Sequence, residues 1–96
     1  MDDRRYEWDE AKNRHNFAKH GLDFQAVEGF RWDEAAEKLD VSDDHEERWR
    51  AIARLADGKY AVLIYTEREA RIRVISLRYA ERKEIREYVE ERDEEG

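Results

Sequence analysis

From Arg48 to Leu55 the chain alternates. Trp49, Ala51, Ala53 and Leu55 fall on one side, and Arg48, Arg50 and Arg54 fall on the other with Ile52. A period of two is the mark of a half-buried strand. The alternation resumes at Tyr60, Val62 and Ile64 after Asp57-Gly58, a pair suited to the positive-φ positions of a two-residue hairpin turn. That turn predicts Leu55 opposite Tyr60, Ala53 opposite Val62, Ala51 opposite Ile64, Arg50 opposite Tyr65 and Glu47 opposite Arg68. A third strand follows at Arg71–Arg78. A three-residue loop, Arg68-Glu69-Ala70, keeps Ile72 and Val74 with the core and puts Arg73 beside Tyr65 and Arg50; a loop one residue shorter would exchange the faces. The expected product is a sheet with one uncovered face carrying Arg50, Tyr65 and Arg73.

Upstream the period changes. Trp8, Ala11, His15, Ala18 and Leu22 recur at helical spacing and predict a helix over Asp9–His20. Asp9 is its N-cap, Glu10 suits its positive end and Gly21 supplies a left-handed C-cap. On this stripe His15 is a half-buried structural residue. Asp23 opens a shorter second helix ending near Gly29-Phe30, with Leu22 and Val27 placed as a hydrophobic staple. Tyr6-Glu7-Trp8 reads as a short strand, Glu37–Val41 as an edge strand, and Ala80–Glu91 as a closing helix with Ile85, Tyr88 and Val89 inward. Trp-Asp-Glu-Ala occurs at Trp8 and again at Trp32, too short for a repeat unit of about 20 residues; it reads as recurring helix-start chemistry. The order gives an α+β fold in one domain, 1–96: a short strand, two N-terminal helices, a three- to four-stranded antiparallel meander and a C-terminal helix.

Charge alters this picture in one respect. The 96 residues are 47 % charged with a formal net charge of −7, a balance that opposes phosphate binding. The distribution is uneven: residues 48–83 carry 10 Lys/Arg against 4 Asp/Glu, whereas residues 1–47 carry 7 against 15. The basic island coincides with the sheet. It can form a polyanion footprint, or it can neutralise acidic helices within the fold. The absence of cysteine excludes disulfides and thiolate metal sites and fits a reducing cytosol. No apolar run approaches the ~18 residues of a membrane span and no signal-peptide pattern follows Met1, so a cytoplasmic location is expected. Asp40, Asp43, Asp44, His45 and Glu46 make an acidic loop whose spacing fits no metal-loop template.

Specific residues then carry a resemblance. Tyr6-Glu7-Trp8-Asp9, Lys12, Asn16, Lys19-His20-Gly21 and Phe24 come first. Glu47-Arg48-Trp49 with Ala51-Ile52, Tyr65-Thr66-Glu67-Arg68, Arg71-Ile72-Arg73, Ile75-Ser76, Arg78 and Ala80 follow in order. Together they resemble the BrnT family. The resemblance implies a RelE-like fold and a ribonuclease toxin of a type II toxin–antitoxin pair that inhibits translation. Its implied partners are RNA and a BrnA-like antitoxin, with operator DNA reached only through the antitoxin. It implies no cofactor, metal or membrane.

Metal-independent RNA cleavage uses the ribose 2′-OH as nucleophile and needs a base, an acid and cations on the developing phosphorane. By resemblance His20 serves as acid or base, Lys19 as a phosphate contact, Glu47 as a general base and Arg68 as a phosphate clamp. Arg78 is the expected transition-state cation with Arg82 behind it, and Arg50, Tyr65 and Arg73 on the expected open sheet face would bind the RNA backbone or stack on a base, or lie under an antitoxin helix. The competing structural readings are a helix-end cation for His20, a solvated lysine for Lys19 and a cross-strand ion pair for Glu47 and Arg68. Leu77 and Tyr79 stand where the family commonly carries small and basic residues. With the net charge, they favour the alternative of a catalytically weak module that holds a DNA-binding antitoxin and tunes operon repression.

Overall fold

Asp9 accepts hydrogen bonds from Ala11 and Lys12 N–H at 2.8 and 3.2 Å and starts helix α1, Glu10–His20. Gly21, at φ 71°, ends it and donates its N–H to Phe17 O. A computed structural model describes residues 4–40 and 47–95. Strand β1 (Arg5–Glu7) precedes α1, and two 3₁₀ segments, Phe24–Gly29 and Trp32–Glu34, follow it. Then come β2 (Ala36–Asp40), β3 (Arg48–Arg54), β4 (Tyr60–Arg68), β5 (Arg71–Tyr79) and α2 (Arg82–Glu95). The second expected helix is thus the first 3₁₀ segment, capped by Asp23 as anticipated. The acidic loop with Asp43, Asp44, His45 and Glu46 lies outside the described residues.

The sheet is five-stranded, ordered β1-β5-β4-β3-β2. It is mixed rather than a pure meander: β1 runs parallel to β5, and the other neighbours are antiparallel. The β3–β4 register departs by one residue from the expected one. Arg54 faces Tyr60, Ala53 faces Ala61 and Trp49 faces Tyr65. The cause lies in the turn. Leu55 N–H donates to Lys59 O, Gly58 N–H donates to Leu55 O, and only Gly58 is left-handed, at φ 82°. The connection is therefore a three-residue type I turn closed by a glycine bulge rather than the two-residue form, and the added residue slides every pairing by one.

The β4–β5 loop errs in the opposite direction. Arg68 faces Arg71 across Glu69-Ala70 alone, both at positive φ (49° and 66°). Farther along, the register breaks between Ile64 and Tyr65. Ile64 faces Ser76 and Tyr65 faces Val74, so Ile75 is the extra residue of a β-bulge.

These offsets decide what is buried. Ala51, Ala53, Leu55, Ala61, Leu63, Tyr65, Val74 and Leu77 pack against Phe24, Val27 and Phe30 of the 3₁₀ layer. On the opposite face Ile52 and Val62 pack against Tyr88 of α2. Tyr88 is the anchor of that helix, 4 % exposed; burying such a ring contributes about 2–3 kcal/mol. Val89, expected inward, is 42 % exposed. Helices lie on both faces, so the uncovered sheet face is not present as expected. Close approach also matters at Gly29, where a Cβ would stand 2.8 Å from Ala56 Cβ and press the 3₁₀ segment off the hairpin.

Candidate active site: a basic cleft between α1 and β5

Helix α1 buries little apolar surface, leaving Phe17 exposed, and the stripe read from its sequence is not the face it buries. Asn13 and Asn16 are buried, whereas Ala11, His15 and Ala18 are exposed. Asn13 Oδ1 accepts from Phe24 N–H at 2.8 Å. Asn16 Nδ2 donates to Leu22 O at 3.0 Å and to Leu77 O at 2.8 Å. Strand β1 stops at Glu7 opposite Arg73, so beyond that point β5 has no strand on this side. The Asn16 amide takes the place of a neighbouring strand and satisfies Leu77.

Seating α1 along β5 in this way leaves a cleft of about 430 Å³ between them. Lys12, His15, Lys19 and His20 line it from the helix, and Ile75 and Ser76 line it from the strand at the bulge. Residues three and four apart share a helix face, so Lys12, His15, Asn16, Lys19 and His20 form one continuous wall. Burial lowers the pKa of His20 below the ordinary 6.5, with help from the charges of Lys19, Arg78 and His15. At neutral pH the imidazole is therefore mostly uncharged and able to accept a proton. Two ammonium groups and two imidazoles around one concavity suit a phosphodiester. The cations neutralise its charge, and the imidazoles take and return a proton.

The remaining expected site residues are dispersed. Tyr65 is 2 % exposed and meets Trp32 edge-on, ring centres 5.3 Å apart; burial raises the pKa of its phenol. It faces the core, opposite to Arg50 and Arg73, so no single surface holds the three. Stacking of a base on Tyr65 is excluded by that burial. Arg73 donates to Glu7 at 2.9 Å. Glu47 is displaced from Arg68 by the register shift; its carbonyl accepts from Thr66 Oγ1 at 2.9 Å, and both Glu47 and Arg68 lie on the surface. Arg82 is exposed in the first turn of α2.

Arg78 and Arg50 converge on one carboxylate. Arg78 donates to both Glu84 oxygens at 2.8 and 2.7 Å, and Arg50 donates to Glu84 at 2.7 Å. Glu84 also reaches back to Glu81 N–H at 2.8 Å, half of a capping box for α2. The Arg78 hydrogen bonds, ahead of its other contacts, hold the Glu84 pKa at about 2 against the ordinary 4.5. A depressed carboxylate pKa stabilises the fold above the unfolded value and loses that contribution as pH falls through the folded one. Acidification from pH 4.5 toward pH 2 should therefore weaken the packing of α2 on the sheet. Glu84→Gln should cost on the order of 2 kcal/mol at neutral pH and flatten the acid limb. Thermal unfolding of both proteins across that range checks this; parallel curves would show that the ion pairs contribute no pH-dependent stability.

Lys12, His15 and Ser76 were not assigned to a site from sequence, and Asn13 and Asn16 were not placed in the core. Lys12, Asn16 and Ser76 do occur in the motif fragments, so the signal was present as identity but not as position. Among the described residues no cluster of His, Cys, Asp or Glu could hold a metal ion. No described helix is long and apolar enough to cross a membrane.

Comparison with known proteins gives the family. Residues 8–84 match the family model described as the ribonuclease toxin BrnT of type II toxin–antitoxin systems. The crystal structure of the Brucella abortus ribonuclease toxin BrnT superposes with a TM-score of 0.63 at 30 % identity, covering 82 % of this chain and 99 % of that one. No curated protein sequence matches. The matched segment takes in every residue of the cleft and most of the sheet, and the chain belongs to the BrnT family of ribonuclease toxins.

Proposed function

We propose that this chain is a cytoplasmic, metal-independent endoribonuclease that inhibits translation, and that a BrnA-like antitoxin neutralises it. The observation that carries this reading is the α1–β5 cleft, where a half-buried uncharged His20 sits among Lys12, His15 and Lys19. In this reading His20 takes the proton of a ribose 2′-OH. The resulting oxygen attacks the adjacent phosphorus, Lys12 and Lys19 neutralise the phosphorane oxygens, and His15, the second imidazole of the cleft, gives a proton to the departing 5′-oxygen as its bond to phosphorus breaks. The products are a 2′,3′-cyclic phosphate and a free 5′-hydroxyl. Arg78 acts on this centre through its field at His20 rather than by direct contact, since its guanidinium is held by Glu84.

Purified chain should cleave single-stranded RNA in the presence of EDTA and leave 2′,3′-cyclic phosphate ends. Intact RNA under those conditions, together with unimpaired growth when the chain is expressed alone, would sink the enzymatic reading. One observation favours the rival, a weak module that holds an antitoxin and tunes operon repression: Glu84 engages both Arg50 and Arg78, two cations of the basic island, in ion pairs within the fold. Tight antitoxin binding with no RNA loss would establish it.

A further inference from the structure

A second concavity of about 440 Å³ lies at the β1 edge of the sheet, bounded by Arg4, Arg5, Tyr6, Trp8 and Arg71, with Glu28 at its rim. It is as large as the cleft that holds His20 and Lys19 but contains neither. The two concavities share one strand: Arg71 opens β5, and Ile75 and Ser76 on that strand line the His20 cleft. At ~3.3 Å per residue they stand roughly 13–17 Å apart along the strand. Both lie on the side of the sheet where β1 ends and α1 takes over.

The chemistry of the concavity is that of a single-stranded nucleic-acid groove. Arg5 has no side-chain partner among the described residues. Arg71 is 54 % exposed and its ion pair with Glu7 is long, at 3.8 Å. Arg4 lies over the Trp32 ring, 4.4 Å from its centre. The guanidiniums supply positive potential for phosphate, and the aromatic walls at Tyr6 and Trp8 offer a surface on which a base can stack. Glu28 at the rim and Glu7, which Arg71 shares with Arg73, do not offset three guanidiniums. A purely apolar partner would leave the guanidiniums unpaired, and an acidic peptide without rings would leave the Tyr6 and Trp8 walls unused.

We infer that this concavity is a second RNA subsite, taking the phosphates and a base of the single strand that flanks the scissile bond. The inference rests on the ribonuclease reading and adds to it a preference for substrates long enough to span both concavities. It places Arg5 and Arg71 in substrate binding, remote from proton transfer.

The test measures binding by the full chain carrying His20→Ala, which silences cleavage, to a labelled dinucleotide and to a single-stranded RNA of about 10 nucleotides. Arg5→Ala and Arg71→Ala, added singly, should each weaken the longer RNA by roughly 5- to 10-fold at low salt and reduce the salt slope by about one. Affinity for the dinucleotide should not change. Both side chains are exposed, so the variants should keep the parent melting temperature, and Lys at either position should restore part of the loss. Equal loss for both RNAs, or no loss for either, overturns the subsite. Unchanged RNA affinity with weakened antitoxin binding overturns it in favour of a protein contact. If the parent chain without His20→Ala cleaves no RNA at all, it is the ribonuclease reading that fails, and the subsite fails with it.

Discussion

Replacing His20 with alanine should slow RNA cleavage by about 10²- to 10⁴-fold, the usual contribution of one positioned proton-transfer group, while the fold stays intact. The helix-end location of His20 gives the bland alternative, a cation that complements the α1 dipole. That role is worth about 0.3–1 kcal/mol when the imidazole is charged. Its lowered pKa argues against the bland role, since burial and the neighbouring Lys19 and Arg78 keep the ring mostly neutral at neutral pH. A neutral ring at a helix C-terminus contributes little to stability but can act as a base. The pH profile follows in sign. Activity that needs the uncharged ring should fall as pH drops through a value below 6.5. Initial rates on a labelled RNA, taken beside thermal melts, separate the two roles. Wild-type rates with a lowered melting temperature would leave His20 a structural residue and remove the centre of the proposed site.

The largest effect on stability should come from Asn16. Its amide donates to Leu22 O and Leu77 O, and its carbonyl lies 3.4 Å from Leu77 N. Asn16→Leu keeps similar volume and deletes every one of these contacts. The orphaned backbone groups lie at a site where Asn16 itself is 6 % exposed, and each buried group left without a partner costs about 1–3 kcal/mol. A total of about 2–4 kcal/mol is expected, lowering the melting temperature by roughly 10–20 °C for a domain of this size. Because the same contacts seat α1 on β5, RNA cleavage should fall even at temperatures where the variant is folded. Denaturation by urea, read with activity, tests both parts. A loss below about 0.5 kcal/mol would mean that water or rearrangement satisfies Leu77 equally well.

The ends of α1 were legible because they are local matters. An aspartate before the first turn and a glycine after the last act within a few residues of themselves, and both lie where the sequence places them. Strand positions were legible for the same reason: alternation is a property of neighbours. Register was not. Asp57-Gly58 accommodates two hairpin closures, and the sheet takes the one that puts Leu63 and Tyr65 rather than Val62 and Ile64 against the 3₁₀ layer. Glu69-Ala70 has no residue that favours positive φ, yet both adopt it. The adjoining pairs Glu67–Ile72 and Tyr65–Val74, together with the bulge at Ile75, outweigh that local cost.

The candidate site divides along the same line. Lys19-His20-Gly21 pointed to the end of α1 from its motif, and that is where the cleft lies. Sequence spacing could not tell that Asn16 reaches a carbonyl 61 positions away, that Tyr65 turns inward, or that Glu84 binds Arg50 and Arg78 together. The sequence by itself determined the capped helix, the strands, the uneven charge and the family, all of which depend on residue identity or on neighbours a few positions apart. Only the tertiary structure decided which sheet face each arginine occupies and which basic residues share a cleft. A single residue added to or removed from a turn, at little local energy cost, exchanges the two faces of a strand.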